Sequence, residues 1–210
     1  SGWDLGNIEP PGLPAVRLEP IRQLAALAEL SDEGMVNAQR INLLDASAPN
    51  PSVETLLHAF LPHKFVDHTH ANAVLALTDQ EGGDDICRAV FGDRMGYVPY
   101  IMPGFALAKK AKEVFEQDTD VEGLILLKHG IFSFGETAQV AYERMIEMVS
   151  IAEAEIEKRK SRSFSSVEIP ARLASAAEIA PILRGLCTMD TGTNLMRLVM
   201  DFRSNDAILN

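Results

Sequence analysis

A chain of 210 residues, 47% hydrophobic and 23% charged, has the material for one substantial buried core. Its formal net charge of −11, with no basic patch rich in aromatics, argues against nucleic acid or an anionic membrane as the main partner. The two cysteines, Cys87 and Cys187, are far apart and outside any C-x-x-C pattern, which points away from a disulfide framework and towards a reducing cytoplasm. No apolar run reaches transmembrane length and no signal peptide is visible.

Residues 1–20 are rich in Gly and Pro and read as loop, with at most a short strand over 15–18. Pro20 suits the first position of a helix over 21–30, and Ser31-Asp32-Glu33 starts another over 32–43. Asn50-Pro51 has the form of an N-cap followed by Pro, which predicts a helix to Phe60 with Val53, Leu56, Leu57 and Phe60 as its buried stripe. Pro62 ends it, and a strand follows over 64–69. Residues 71–77 are a short helix or an extended run, and 84–91 a helix. A strand over 97–101 is broken by Pro103-Gly104, and a helix occupies 105–117. Residues 124–128 and 131–134 are apolar strands, joined through His129-Gly130 as a hairpin or as one bulged strand. The longest helix covers 137–159. The basic, serine-rich run 158–163 marks a shift in composition, so 1–160 is predicted as one domain and 161–210 as a connector. In that connector, 171–187 is helix interrupted at Pro181, and 195–202 a strand.

The chemistry centres on Val66-Asp67-His68-Thr69-His70. In a strand, residues i and i+2 face the same side, so His68 and His70 project together and can take adjacent corners of one metal. The same spacing also suits two partly exposed histidines on a sheet edge. His129, beside a glycine that permits close backbone approach, is the best third ligand. Three His ligands leave one position open, the pattern of catalytic rather than structural zinc. Glu54, in the first turn of the helix predicted from Asn50, is either a carboxylate favoured by the helix dipole or a general acid/base facing the metal. His58, four residues on, shares its face. Ser52 is either an ordinary first-turn serine or a phosphate contact at a helix N-terminus. Tyr97 and Tyr100 read as strand and edge aromatics that would act as proton donors only on reaching the site.

Three motifs in this order and spacing resemble the class II aldolase/adducin family: Pro51-Ser52-Val53-Glu54 with His58, then Val66–His70, then Leu127-Lys128-His129-Gly130-Ile131 with Gly135. The wording of residues 51–61, 99–104 and 137–147 is similar to one branch, in which a rhamnulose-1-phosphate aldolase domain precedes a short-chain dehydrogenase domain. The resemblance implies a three-layer α/β/α fold with a largely antiparallel central sheet. It implies His68, His70 and His129 as ligands of Zn²⁺ or another divalent metal, and Glu54 as the catalytic acid/base. Ser52 and Gly2 correspond to phosphate-contacting positions, though Val53 stands where a second serine is usual. Tyr100 falls near a tyrosine that reaches a neighbouring subunit's site. The implied activity is aldol cleavage of a ketose 1-phosphate, of rhamnulose or fuculose type, to dihydroxyacetone phosphate and lactaldehyde, in a cytoplasmic homotetramer or other homo-oligomer. Sugar-phosphate 4-epimerases, decarboxylases and dehydratases share the three histidines. A non-catalytic adducin-like module is the alternative from another class, and the intact His trio argues against it. Part of the family's N-terminal phosphate site is expected to be absent. No Gly-x-x-x-Gly-x-Gly stretch of the dehydrogenase half occurs, and residues in this chain give no support for NAD binding; that the whole protein is known by a short-chain dehydrogenase half is a third possibility.

Overall fold

A computed structural model of the chain describes residues 5–159, 174–190, 192, 194–196, 198, 199 and 201. The chain divides into two compact units, residues 1–160 and 161–210.

The first unit is built on a four-stranded mixed sheet. Its strands are β1 (Phe65–Thr69), β2 (Met95–Val98), β3 (Gly123–Leu126) and β4 (Gly130–Gly135), in the order β1-β4-β3-β2. β4 pairs antiparallel with both β1 and β3, while β2 runs parallel to β3. The parallel step is made possible by a long crossover through α6 (Phe105–Gln117). Every residue of β3 and β4 is buried, as expected of central strands covered on both faces.

Alternation along those strands sorts the core into two layers. Leu124, Leu126, Phe132 and Phe134 face one side. There they pack with Leu56 and Phe60 of α3 (Thr55–Phe60), with Leu107 and Ala111 of α6, and with Ile21 of α1 (Leu18–Gln23). Ile125 and Ile131 face the other side. They meet Val74 and Leu77 of α4 (Asn72–Thr78), Phe91 of α5 (Gly83–Phe91), and Met148 and Ala152 of α7 (Ala138–Arg159). Each fully buried aliphatic side chain of this kind contributes roughly 1.5–3 kcal/mol of transfer free energy. The result is the three-layer α/β/α arrangement expected from the sequence. An Arg94 guanidinium, doubly paired to Glu122 and to Glu147 at 2.7–3.1 Å, ties the start of β2 and β3 to α7.

Several elements differ from expectation. α1 begins at Leu18, so Pro20 sits within the first turn, where its missing N–H is equally harmless; a 3₁₀ turn, Leu24–Ala26, replaces the end of the predicted helix. The strand expected over 15–18 is a single bridge, Val16 to Leu43. α2 (Asp32–Ile41) begins where predicted, because the Ser31 hydroxyl accepts from Gly34 N–H at 3.1 Å. The helix predicted from Asn50 starts only at Thr55, and Val53 is 38% exposed rather than part of the buried stripe. The alternatives left open at 127–130 resolve as a hairpin with a three-residue turn. His129 therefore lies in that turn and not in a strand.

The second unit contains α8 (Ala176–Leu186) and a short hairpin of β5 (Met189–Asp190) and β6 (Leu195–Met196). α8 begins with a reciprocal capping box between Ser175 and Glu178, and it runs through Pro181 instead of breaking there. Of the strand expected over 195–202, β6 covers Leu195–Met196, while Arg197, Met200 and Phe202 lie outside the described residues.

Candidate metal centre

Ser52 explains why α3 starts late and where that leaves Glu54. Its hydroxyl accepts from Glu54 N–H at 3.2 Å, and its carbonyl accepts from Thr55 N–H at 3.0 Å. A serine that captures the backbone donor two residues on competes with helix formation. The helix is deferred, and Glu54 becomes the residue immediately before it, its carbonyl accepting from His58 N–H at 3.3 Å. The turn is anchored from outside by Gln39 of α2, a buried side chain whose Nε2 donates to Ser52 O at 3.1 Å. Gln39 was not marked in the sequence. Its only signal there is a polar residue on an otherwise apolar helix face.

β1 delivers His68, and the residue after its end delivers His70. The hairpin turn delivers His129, whose N–H donates to Leu126 O at 3.1 Å. Lys128, just before it, adopts φ +60°, the left-handed conformation that lets a three-residue turn close. Gly130 follows, and a Cβ there would lie 2.6 Å from Thr69 O, 3.0 Å from His70 Cδ2 and 3.1 Å from His68 Cε1. Glycine is what allows the hairpin to press against the two rings.

The four side chains converge on one point. Glu54 Oε1 lies 2.9 Å from His129 Nε2, 3.2 Å from His68 Nε2 and 3.3 Å from His70 Nε2. His68 Nε2 and His70 Nε2 are 2.9 Å apart, and all four donor atoms lie within 4.8 Å of one another. A tetrahedral zinc with bonds of about 2.0–2.1 Å separates its ligand atoms by about 3.3 Å. Four of the six donor separations, at 2.9–3.3 Å, lie close to that value.

The tautomer of His68 fits too. Its Nδ1–H donates to Ile131 O at 3.0 Å, which leaves Nε2 to carry the lone pair of the neutral ring. Phe132 stacks on the same ring at 4.0 Å between centroids, fixing its plane. The imidazoles beside it, His129 first and then His68, hold the Glu54 carboxyl well below the usual carboxylate range in the metal-free protein. Burial, with His68 nearby, holds His58 below the ordinary histidine value. A cavity of about 870 Å³ opens over this cluster, and its lining includes Ser52, Glu54, His58, His68 and His70 together with the apolar Ile8, Leu13 and Pro14.

Five of the seven predicted site residues thus share one place: Ser52, Glu54, His68, His70 and His129. Tyr100 does not join them; it is 52% exposed and does not line this cavity. Tyr97 is also elsewhere. Its hydroxyl donates to Gly92 O at 2.7 Å, and burial pushes its pKa up to about 12. Gly2 lies outside the described residues.

Known proteins resemble this chain. "Uncharacterized oxidoreductase YuxG" of Bacillus subtilis (strain 168) is 31% identical over 216 residues, covering 100% of this chain and 31% of that protein. Methylthioribulose-1-phosphate dehydratase of Picosynechococcus sp. is 26% identical over 129 residues, covering 52% of this chain and 61% of that enzyme. The chain therefore spans less than two thirds of either curated relative. Among solved structures, the N-terminal class II aldolase domain of a conserved protein from Thermoplasma acidophilum is 40% identical, with a TM-score of 0.68 over 74% of this chain and 72% of that one. Residues 1–156 match the family model described as the class II aldolase and adducin N-terminal domain. That span holds the sheet, the Ser52 turn and all four converging donors, and by it the chain belongs to the class II aldolase and adducin family.

Proposed function

We propose that this domain catalyses metal-dependent aldol cleavage of a ketose 1-phosphate, giving dihydroxyacetone phosphate and an aldehyde. The observation that carries this reading is the contact of one carboxylate oxygen with three imidazole nitrogens, at 2.9–3.3 Å, at the base of an open cavity. Three imidazoles suit zinc, and His68, His70 and His129 would hold it. When bound, the divalent ion supplies Lewis-acid polarisation of the substrate's carbonyl and hydroxyl oxygens.

The chain's own residues do the rest. As the C3–C4 bond breaks, the ionised Glu54 carboxylate accepts the proton of the C4 hydroxyl, C4 leaves as the aldehyde, and C3 remains as the carbon of an enediolate, to which Glu54 then returns that proton to complete dihydroxyacetone phosphate. Ser52 lines the cavity beside Glu54 and is read, with Gly2, as part of the phosphate site. Tyr100, exposed and away from its own chain's cavity, is read as serving a neighbouring copy in a homo-oligomer, a tetramer in the simplest case. The substrate is read as rhamnulose or fuculose 1-phosphate and the aldehyde as lactaldehyde. The site is read as cytoplasmic, in keeping with two unpaired cysteines.

Dehydration is the competing chemistry, favoured by the similarity to methylthioribulose-1-phosphate dehydratase. Product analysis separates the two. The protein loaded with zinc is incubated with L-rhamnulose 1-phosphate, and dihydroxyacetone phosphate is followed by coupled reduction. Formation of that product, abolished in His68→Ala together with zinc binding, is expected. A His68→Ala protein that still binds zinc and keeps full activity would sink the proposal.

A further inference from the structure

His58 lines the same cavity as Glu54, His68 and His70, and the chemistry above gives it no part. It sits four residues after Glu54, so both side chains leave the start of α3 on one face. Its neighbours on the helix, Leu57 and Ala59, are buried, whereas His58 itself opens to the cavity. Its ring is held from two sides. The edge contact with Phe132 has centroids 5.3 Å apart, and the His68 ring lies at 6.5 Å, nearly perpendicular. The Val66 backbone carbonyl engages one of its ring nitrogens. That leaves the second nitrogen, on a residue that lines the cavity, for a ligand. A ketose 1-phosphate anchored at the three histidines carries oxygens on C2 to C5, and the His58 ring, 6.5 Å from that of His68 between centroids, lies within a few bonds of them.

Resting on the ketose-phosphate reading, we propose that His58 is a substrate-binding residue whose free ring nitrogen hydrogen-bonds a hydroxyl of the sugar chain. Such a bond adds specificity for a polyhydroxylated substrate, because a polar group in a site built for a hydroxyl is left unpaired by an analogue lacking it.

The test uses the full chain as His58→Phe, which keeps a ring against Phe132, and His58→Gln, which restores a polar atom at similar reach. Zinc content is measured for each. KM and kcat are measured for L-rhamnulose 1-phosphate, and binding of the same compound to the cobalt-loaded protein is followed by its visible spectrum. Both variants are expected to keep one metal per chain. His58→Phe is expected to weaken binding and raise KM about tenfold, and His58→Gln to recover most of the loss. Should His58→Phe not fold, as judged by circular dichroism, His58→Ala carries the same expectation without crowding Phe132. Unchanged binding in the folded variant overturns the proposal. So does a loss of zinc in proportion to the loss of binding, which would mean that His58 acts only through His68. A wild-type chain that binds the compound in a His58-dependent way without cleaving it removes the aldolase reading and leaves this one standing. Cleavage with a KM indifferent to His58 does the reverse.

Discussion

Gly130→Ala is the most direct perturbation of the candidate metal centre that leaves every donor atom in place. The added carbon would lie 2.6 Å from Thr69 O, 3.0 Å from His70 Cδ2 and 3.1 Å from His68 Cε1. The first neighbour is backbone at the end of β1, in a register fixed by the pairing of Thr69 with Ile131. It cannot swing away as a flexible side chain would. Overpacking of this kind costs about 1–3 kcal/mol, and the carbonyl contact places this case in the upper half of that range. Relief must come from parting the hairpin from β1, and that motion pulls His129 from the two histidines.

The expected result is a lower urea midpoint for the metal-free protein, with an unchanged slope, and zinc affinity reduced at least tenfold in competition with a chelator. Gly185→Ala is the control: nothing lies within 4 Å of its added carbon, so its zinc affinity should equal that of the parent. A Gly130→Ala protein with parental midpoint and parental zinc affinity would refute the claim that glycine is there for close approach.

Three other outcomes are expected. Gln39→Leu removes the bond to Ser52 O and should lower stability by about 1–2 kcal/mol in urea denaturation, while lowering kcat more than zinc content, since the turn it anchors carries Glu54. Lys128→Gly relieves a left-handed residue and should raise thermal stability by up to about 1 kcal/mol with zinc binding intact, measured by calorimetry. Cys87, which burial and then Asp84 push up to about 11, should resist iodoacetamide at pH 8 while exposed Cys187 reacts, giving one labelled cysteine in the native protein and two in urea. Because the folded thiol ionises later than the unfolded one, its contribution to stability is full below the ordinary thiol value and is lost as pH rises towards about 11.

The strands and long helices were legible because their signals are repeated. α6 begins and ends at the residues predicted, Phe105 and Gln117, with Leu107, Ala108, Ala111 and Phe115 buried along one stripe. Apolar runs in β3 and β4 carried the central position of those strands. What escaped was set by single hydrogen bonds. Asn50-Pro51 has every mark of a helix start, but the Ser52 hydroxyl takes Glu54 N–H and moves the start to Thr55. That bond is local, yet its competitor, an N-cap at Asn50, is equally local, and Gln39 from another helix supports the turn that is observed. Period-two spacing put His68 and His70 on one side but fitted a sheet-edge pair as well; it was Glu54 and His129, with the family resemblance, that turned the pair into a metal site, and His70 in fact follows the end of β1. The meeting of Glu54 with His129, 75 residues apart, rests on the antiparallel pairing of β1 with β4, for which no short-range signal exists.

The late start of α3 bears on how one carboxylate serves the site. Had the helix begun at Asn50, Glu54 would sit inside its first turn, with its backbone N–H pointing along the axis and its side chain on a rigid face. Instead it precedes the helix, and its Oε1 occupies the fourth corner beside three imidazole nitrogens. On the proposed chemistry, that corner is where a substrate oxygen must bind. Arrival of the substrate then displaces the carboxylate from the imidazoles to the substrate carbon, a shift of one side chain about a turn that Ser52 and Gln39 hold in place. In the metal-free protein the imidazoles of His129 and then His68 keep Glu54 ionised, the state in which the proposed chemistry first uses it.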